Sequence, residues 1–373
     1  MASVVKEKLS SITYFKGLDM LRFIGSTVVI FHHTTDTLLK KGFETKSESY
    51  FRFSGAFFLD VFFIISGFLI SLILMKEFQQ GTFSIKNFYL RRIIRIWPLY
   101  FLVVLVKVLI IPLAAHYPWD SIKSSLFYAC TFMVNFQILI EDSSNAYKVL
   151  WSVCIEEHIY LVLPLFLYIF KGKFKVIGWV LTISGLISWF YFKDIPSPTG
   201  YSTPYFMSLT YFYFFGLGVL IAYFYNKGVK LKMAFEPLIQ IIVIAILIPI
   251  IFNVIPHNYK LPQLLFIYGF FGSYLVWAGL QDNFVLNLKT PVTKYLGNLS
   301  FSMYMIHIII VVACVKYFKR SDMKFSEALC GWAIPIVATL ITMVFSTLLY
   351  YFFEKPILKL KSRFTTVKSK ILD

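Results

Sequence analysis

Ionisable side chains interrupt an otherwise apolar run of the sequence, DMLRFIGSTVVIFHH, which extends from Asp19 to His33. Arg22 and His33 are eleven residues apart, so steps of about 100° place both on one face of a helix, with roughly 16 Å of rise between them. Ionisable groups within a bilayer usually serve a function. We therefore expect both side chains to face a bundle interior and to take part in chemistry. In the structural alternative, Arg22 pairs with Asp19 and His33 makes one hydrogen bond.

Later segments add acidic, phenolic and imidazole groups in similar surroundings. Asp60 lies in a Phe-rich segment and needs a partner there. Glu156 and Tyr160 are four residues apart, on one helix face, and a carboxylate at the depth of an imidazole could orient it and stabilise its charged form. Tyr304 and His307 share a face of a late segment. The alternatives are a solvated helix end for Glu156 and a hydrogen-bonded core histidine for His307.

Three arginines, Arg91, Arg92 and Arg95, lie close together in the stretch RRIIRIWP. We place them at the inner boundary of a span that covers 97–115, with Pro98 in its first turn. Guanidinium forks suit phosphate groups, so the cluster predicts a cytoplasmic anion site. The alternative is that the arginines only set membrane topology, as basic clusters at inner span ends often do.

The composition indicates a membrane protein that crosses the bilayer several times. Of the 373 residues, 58% are hydrophobic and 15% are charged, whereas soluble proteins are about 45–50% apolar. The net charge of +17 is spread over short clusters between apolar runs, which is typical of membrane topology and does not favour nucleic-acid binding. The four cysteines form no CxxC pair, so neither a metal site nor a disulfide framework is expected.

Apolar runs of about 20 residues predict an all-α protein with a bundle of about ten transmembrane helices. The predicted spans are 18–38, 55–75, 97–115, 155–170, 176–192, 205–225, 238–255, 262–281, 295–317 and 329–353. The segment 121–140 is less apolar. We expect it to be re-entrant or interfacial, but whether it crosses stays open at this point.

The distribution of lysine and arginine orients the chain. If 121–140 does not cross, an excess of these residues lies on the side of both termini, which predicts that the termini are cytoplasmic. The resulting division has a cytoplasmic N-terminal segment (1–17), a transmembrane domain (18–353) and a basic cytoplasmic tail (354–373). No internal repeat is evident, and the expected location is the plasma membrane.

The ordered set of motifs resembles the acyltransferase 3 family of integral-membrane enzymes over residues 17–356. The matching stretches are LDMLR with a histidine after it, DVFFIISGFLI, RRIIRIWP, WSVCIEEHIY, LGNLSFSMYMIH and FFEKP. The resemblance implies transfer of an acyl group, usually acetyl from acetyl-CoA, to a carbohydrate hydroxyl. By position it implies roles for Arg22 and His33 as the essential pair, for Arg91, Arg92 and Arg95 as the cytoplasmic basic motif, and for Glu156 as the outer acidic residue.

Four positions depart from the family's pattern. Phe58 stands in place of a usual glycine, Cys154 in place of serine or alanine, and His158 in place of glutamine, while His32 adds a second imidazole beside His33. None of these changes removes a group to which the resemblance assigns a catalytic role. His307 matches a family residue of unclear role, as does the glutamate of FFEKP.

Two functions from different classes fit these observations. The first is an O-acyltransferase in which acetyl-CoA binds the arginine cluster, Arg22 anchors the donor further along, and Glu156 orients His33. The histidine then acts as a general base on a sugar hydroxyl or as a transient acyl carrier. The second is a transporter or flippase for a lipid-linked glycan, which inverted repeats would favour. The acceptor sugar, the acyl chain and the oligomeric state stay open; no metal is expected.

Overall fold

The computed structural model describes residues 11–43, 47–141, 149–229, 233–254, 261–320, 327–365 and 368–370. Almost all of the regular structure in these ranges is helical, as the long apolar runs require. The main helices are α1 (Lys16–Lys40), α2 (Ser47–Gln79), α3 (Ile85–Val104), α4 (Trp119–Cys130), α5 (Val134–Ile140), α6 (Trp151–Ile169), α7 (Phe174–Phe192), α8 (Phe212–Asn226), α9 (Pro237–Ile251), α10 (Leu261–Ala278), α11 (Thr290–Arg320) and α12 (Glu327–Leu349).

Short elements extend several of these helices. A π-helical turn (Leu105–Ile110) and Ile111–Ala114 prolong α3, and a 3-10 turn (Ser208–Tyr211) precedes α8. A π-helical turn (Tyr350–Glu354), Lys355–Leu358 and a 3-10 turn (Lys359–Phe364) follow α12. Thr203–Phe206 forms a single helical turn.

A helix occupies each of the ten predicted spans, but within the described residues seven helical stretches are long and apolar enough to cross a membrane. Two of the others, Pro237–Ile251 and Gln263–Ala278, are apolar but shorter. The remaining one is α1, whose length is sufficient but whose sequence contains several polar and charged residues. The structure therefore confirms an all-helical membrane architecture, while the count of about ten spans is not confirmed.

The third span differs from its prediction. Its helix begins at Ile85, where the Ser84 side chain accepts a hydrogen bond from the Asn87 backbone N–H at 3.3 Å, as an N-cap does. Pro98 therefore lies inside the helix, and the three arginines lie on the span itself rather than before it. The segment 121–140 consists of α4 and α5 with a turn between them, and neither helix is long enough to span a bilayer alone.

Contacts divide the chain into two units. The first unit comprises Met1–Tyr14, Phe63–Val229 and Glu354–Asp373, and the second comprises Phe15–Phe62 and Lys230–Phe353. Helix α2 contributes its beginning to the second unit and its end to the first.

Glycines permit close helix packing within the first unit. A Cβ added at Gly67 of α2 would lie 2.3 Å from the Phe215 carbonyl oxygen of α8, and one added at Gly185 of α7 would lie 2.1 Å from the Tyr213 backbone nitrogen. Both distances are far below a normal contact, so α2 and α7 each approach α8 backbone to backbone, as small residues permit in membranes.

Two short strands from early and late in the described chain pair in the first unit. Strand β1 (Ser11–Thr13) pairs in parallel with strand β2 (Lys368–Lys370), with Ser11 opposite Lys368. These three-residue strands bring the segment before α1 beside the segment that follows the last 3-10 turn.

The core of the second unit is built by α1, α11 and α12, which pack against one another. Close approaches fix the position of α1. A Cβ at Gly17 would lie 2.4 Å from the Gly279 carbonyl oxygen, and a Cβ at Gly297 of α11 would lie 2.4 Å from the Asp19 side chain. This packing places the face of α1 that carries the ionisable residues against α11.

Candidate active site

Two imidazoles lie side by side in the second unit. The ring centroids of His33 on α1 and His307 on α11 are 5.2 Å apart. His307 is fully buried, and its Nδ1 lies 2.6 Å from the Tyr304 carbonyl oxygen. A carbonyl oxygen only accepts, so Nδ1 of His307 carries the proton and Nε2 is the acceptor nitrogen of the neutral ring. The His33–His307 pair can therefore hold or pass a proton.

Arg22 and Asp19 form an ion pair at the opposite end of the same helix. The Arg22 Nη1 and Asp19 Oδ1 atoms are 3.5 Å apart, and both side chains are mostly buried. The structural alternative predicted this i,i+3 contact. The pair is mostly buried, however, with Asp19 against α11, so it differs from an ion pair at a solvated helix end. Asp19 restrains the guanidinium of Arg22 within the second unit.

The neighbouring histidine has different surroundings. His32 lies against α2, where a Cβ at Gly55 would be 2.9 Å from its Cγ atom. Its ring centroid is 4.9 Å from that of His33. The Gly55 position has no room for a side chain because the His32 ring occupies that space. His32 therefore has a packing role. Of the two adjacent histidines, His33 is the one paired with His307.

Asp60 and Tyr304 complete the predicted residues of the second unit. Asp60 is 6% exposed, and the described part of the chain supplies neither a hydrogen bond nor an ion pair to its carboxyl group. Tyr304 packs between two aromatic neighbours, with its ring centroid 5.7 Å from that of His307 and 6.2 Å from that of Phe62.

Glu156 belongs to a polar cluster in the first unit. The Ser66 hydroxyl donates to Glu156 Oε1 at 2.7 Å, and the Tyr160 hydroxyl donates to the same oxygen. The Arg92 guanidinium lies over the Tyr160 ring, 5.6 Å from Cζ to the centroid, within the range of a cation–π interaction. Two hydroxyl donors and a nearby guanidinium therefore surround the Glu156 carboxyl group.

This cluster places Arg92 deeper than the sequence indicates. Tyr160 is the tenth of nineteen residues in α6, so its neighbour Arg92 lies beside the middle of that helix, and Arg92 is only 7% exposed. Helices α3 and α6 are antiparallel, since Tyr89 donates to the Leu161 carbonyl while Tyr100 contacts Cys154. An arginine that only anchors a helix at the membrane interface would be solvated. The burial of Arg92 is therefore not accounted for by a role in membrane topology alone.

Arg91 has a different environment from Arg92. Its Nη1 and Nη2 atoms contact the two carboxylate oxygens of Glu77 at 2.8 and 2.9 Å, and these side chains are 3% and 1% exposed. Nη1 also donates to the Phe364 carbonyl at 2.8 Å. Arg91 therefore joins α2, α3 and the C-terminal 3-10 turn. Arg95 is half-buried and has no hydrogen bond or ion pair with the residues that the structure describes.

The predicted site residues thus fall into two groups, one in each unit. Arg22, His33, Asp60, Tyr304 and His307 belong to the second unit, and Arg91, Arg92, Arg95, Glu156 and Tyr160 belong to the first. The expected pairing of Glu156 with His33 joins residues of different units and stays a prediction. Among the described residues, no group of His, Cys, Asp and Glu could hold a metal ion.

Two contributions were missed by sequence reasoning. Sequence reasoning gave Ser66 no chemical role; its neighbour Gly67 packs closely against α8, and Ser66 itself donates a hydrogen bond to Glu156. The contact between His33 and His307 was also missed, because the two residues are far apart in the sequence. The one available signal was that both are imidazoles within apolar segments.

Over most of its length the chain is similar to known proteins. A family model described as an acyltransferase domain matches residues 15–351. An uncharacterized protein of Haemophilus influenzae is 29% identical over 47% of this chain and 78% of its own length. A Staphylococcus aureus protein, provisionally named an O-acetyltransferase, is 24% identical over 94% of this chain and 58% of its own length.

A further relative is the peptidoglycan O-acetyltransferase OatA of Listeria monocytogenes, which is 27% identical over 42% of this chain and 25% of its own length. The chain therefore spans little more than half of the Staphylococcus relative and a quarter of the Listeria one. No solved structure matches the chain. The family match covers every candidate residue described above, and the chain belongs to the acyltransferase 3 family.

Proposed function

We propose that the protein is an integral-membrane O-acyltransferase that transfers an acetyl group from cytoplasmic acetyl-CoA to a hydroxyl of a cell-surface or lipid-linked carbohydrate. The observation that carries the proposal is the family match over 15–351, which includes the pair formed by His33 and the buried His307. A pair of imidazoles inside an integral-membrane acyltransferase provides a means of removing a proton from a hydroxyl group.

The transfer requires one proton to move from the acceptor to the donor's sulfur. In the direct route, His33 takes the hydroxyl proton, the oxygen attacks the thioester carbonyl, the C–S bond breaks, and the CoA thiolate receives the proton. In the two-step route, the His33 ring attacks the carbonyl first and expels the CoA thiolate; the acceptor hydroxyl then displaces the ring from the acyl group, and its proton ends on the CoA sulfur. His307 contacts His33 in either route and can share the proton.

Donor binding is assigned to Arg92 and Arg95, with Arg22 as a further anchor for the phosphate or pantetheine end of acetyl-CoA. We assign Arg91 a structural role instead, because Glu77 and the Phe364 carbonyl already contact its Nη atoms. Guanidinium groups suit phosphate, and a buried arginine such as Arg92 gains most from a bound anion. Glu156 supports the chemistry through the imidazole, as its position in the sequence suggests.

The orientation proposed here has both termini in the cytoplasm and the enzyme in the plasma membrane. The pairing of β1 with β2 supports an even number of crossings between these two strands, because it places them on the same side. The distribution of lysine and arginine supports the cytoplasm as that side.

The acceptor is proposed to be a carbohydrate of the cell envelope. The Listeria relative is named for peptidoglycan, and a sugar hydroxyl is the group that a histidine base activates.

The test is transfer by the full-length protein in lipid nanodiscs. Acetyl-CoA is supplied with soluble peptidoglycan fragments, and both CoA release and acetylated product are measured by mass spectrometry. Wild type should form product, His33→Ala should lose it by about 10²–10⁴-fold, and His32→Ala should be milder. No acetylated product from any glycan fraction of the envelope, or full activity of His33→Ala, would refute the proposal.

A further inference from the structure

Arg92 is a buried arginine that contacts an aromatic ring where its neighbour on α3 contacts a carboxylate. Arg92 is 7% exposed, and it forms neither a hydrogen bond nor an ion pair with the residues that the structure describes. Its guanidinium lies over the Tyr160 ring, 5.6 Å from Cζ to the centroid. Both oxygens of Glu77, in contrast, bind the guanidinium of Arg91. The two adjacent arginines are therefore held in different ways.

Three helices fix the Tyr160 side chain. Ser66 Oγ of α2 lies 2.5 Å from the Tyr160 hydroxyl oxygen and 2.7 Å from Glu156 Oε1, and the Tyr160 hydroxyl donates to the same carboxyl oxygen of α6. The Phe215 ring of α8 packs against the Tyr160 ring in a T-shaped contact, with centroids 6.5 Å apart. Tyr160 is 2% exposed. The hydroxyl contacts and the ring contact together set where the face of the ring lies.

The Glu156 carboxyl group contacts hydroxyls rather than the guanidinium. Its Oε1 atom accepts from Ser66 and Tyr160, and in the described part of the chain Glu156 and Arg92 form no ion pair. Tyr160 contacts both groups, through its hydroxyl on one side and its ring on the other. Glu156 therefore affects the position of Arg92 through Tyr160.

A ring and a carboxylate leave an arginine with different capacities to bind a ligand. A carboxylate accepts the N–H groups of a guanidinium and offsets its charge, as Glu77 does for Arg91. A ring face attracts the cation through its quadrupole and is not a conventional acceptor for the five N–H donors. A guanidinium held by a ring thus keeps its charge and its donors for an anion, and a phosphate group matches this fork.

We propose that Tyr160 is a positioning residue for the acyl donor: its ring holds Arg92 in place for a phosphate group of acetyl-CoA, and Ser66 and Glu156 hold the ring. The inference rests on the proposed function, which assigns Arg92 to donor binding. Tyr160 acts through Arg92 and does not itself touch the donor. Its contact with the guanidinium should therefore govern the affinity for CoA and leave the affinity for the acceptor unchanged.

Substitutions of Tyr160 separate its ring from its hydroxyl. Tyr160→Phe keeps the face that Arg92 contacts and removes the hydroxyl contacts, whereas Tyr160→Leu removes both. Tyr168→Leu is the matched control, because Tyr168 lies on the same helix but is 80% exposed. Tyr160→Leu in an Arg92→Gln background tests whether the effect passes through Arg92.

The experiment measures the Kd of CoA for the full-length protein in nanodiscs by isothermal titration calorimetry, together with the KM for acetyl-CoA and for the acceptor in acetyl transfer. Tyr160→Leu should weaken CoA binding and raise the KM for acetyl-CoA by roughly 2- to 30-fold, as loss of a cation–π contact predicts, with an unchanged KM for the acceptor. Tyr160→Phe should recover most of the affinity, and Tyr168→Leu should match wild type. In the Arg92→Gln background, Tyr160→Leu should cause no further loss.

A second substitution keeps the test usable if Tyr160→Leu does not fold. Tyr160→Met fills more of the space with a flexible side chain but offers no ring face to Arg92. The same weakening of CoA binding is expected from it.

The inference would be overturned by any of the following results: no CoA binding by wild type, wild-type affinity in Tyr160→Leu, equal losses in Tyr160→Leu and Tyr160→Phe, or a further loss when Tyr160→Leu is added to Arg92→Gln. Failure of the proposed function is distinguishable. A wild type that binds CoA through Tyr160 but transfers no acetyl group would refute the transfer and support the positioning role, whereas normal transfer with unchanged CoA affinity in Tyr160→Leu would refute the positioning role alone.

Discussion

Replacing Arg91 by glutamine should destabilise the first unit without a specific effect on donor binding. The substitution removes both bonds to Glu77 and the bond to the Phe364 carbonyl. Glu77 is fully buried, so its carboxylate would lose its guanidinium partner at a buried position.

The size of the effect follows from this burial. Removing one partner of a buried ion pair costs about 3–5 kcal/mol, and a hydrogen bond from a charged donor contributes about 1.5–3 kcal/mol more. An Arg91→Gln, Glu77→Gln double variant removes both charges together. It should lose much less stability than the sum of the two single variants, because residues in direct contact are not additive.

The assay compares thermal unfolding in nanodiscs with the KM for acetyl-CoA, for Arg91→Gln, Arg92→Gln and the double variant. Arg92 is the matched control, since it is equally buried but contacts the Tyr160 ring rather than a carboxylate. Arg91→Gln should unfold at a lower temperature with an unchanged KM in the fraction that remains folded. Wild-type stability together with a raised KM would show that Arg91 binds the donor, and would refute the reasoning from its ion pair.

Three further predictions concern residues in the first unit. Arg92→Gln should raise the KM for acetyl-CoA, and Arg92→Lys should recover only part of the affinity because an ammonium lacks the guanidinium fork; an unchanged KM in both would exclude a donor contact. Glu156→Gln should lower kcat strongly with little effect on the KM for acetyl-CoA. Glu157→Gln, at the next residue of α6, should lower kcat less; equal kcat values for the two variants would remove Glu156 from the mechanism. Gly67→Ala should reduce the yield of folded protein, because its Cβ would lie 2.3 Å from a backbone oxygen of α8. A wild-type yield and elution profile of the variant in size-exclusion chromatography would contradict this.

The sequence predicts the helices well because their signal is local. The ten apolar runs correspond to helices. The errors lie mainly at the helix ends, because capping residues determine where a helix begins or stops. The third span is an example: Ser84 begins the helix two turns before the arginines, and the apolar window alone gave no reason to extend it past charged residues. The grouping of Glu156 with Tyr160 was also predictable, since both lie on one face of α6.

Contacts between distant segments could not be predicted from periodicity. The carboxylate of Glu77 was not singled out, although it determines what Arg91 does. The partner of His33 on α11 depends on how α1 and α11 pack, which the close approach at Gly297 sets. His158 was noted as a departure from the family's usual glutamine, but Ser208, which lies 2.7 Å from its Nδ1 atom, belongs to a weakly patterned segment.

The hydrogen bond between Ser66 and Glu156 also constrains how the protein is made. Glu156 follows Ser66 by 90 residues, which a ribosome adds in roughly 5–18 s at about 5–20 residues per second. During that interval α2 has left the ribosome while its partner on α6 does not yet exist. The glycine contact of α2 with α8 forms later still. The first unit therefore cannot complete its interior helix by helix as the spans emerge, and α2 has to be retained by the insertion machinery or by lipid until α6 and α8 arrive.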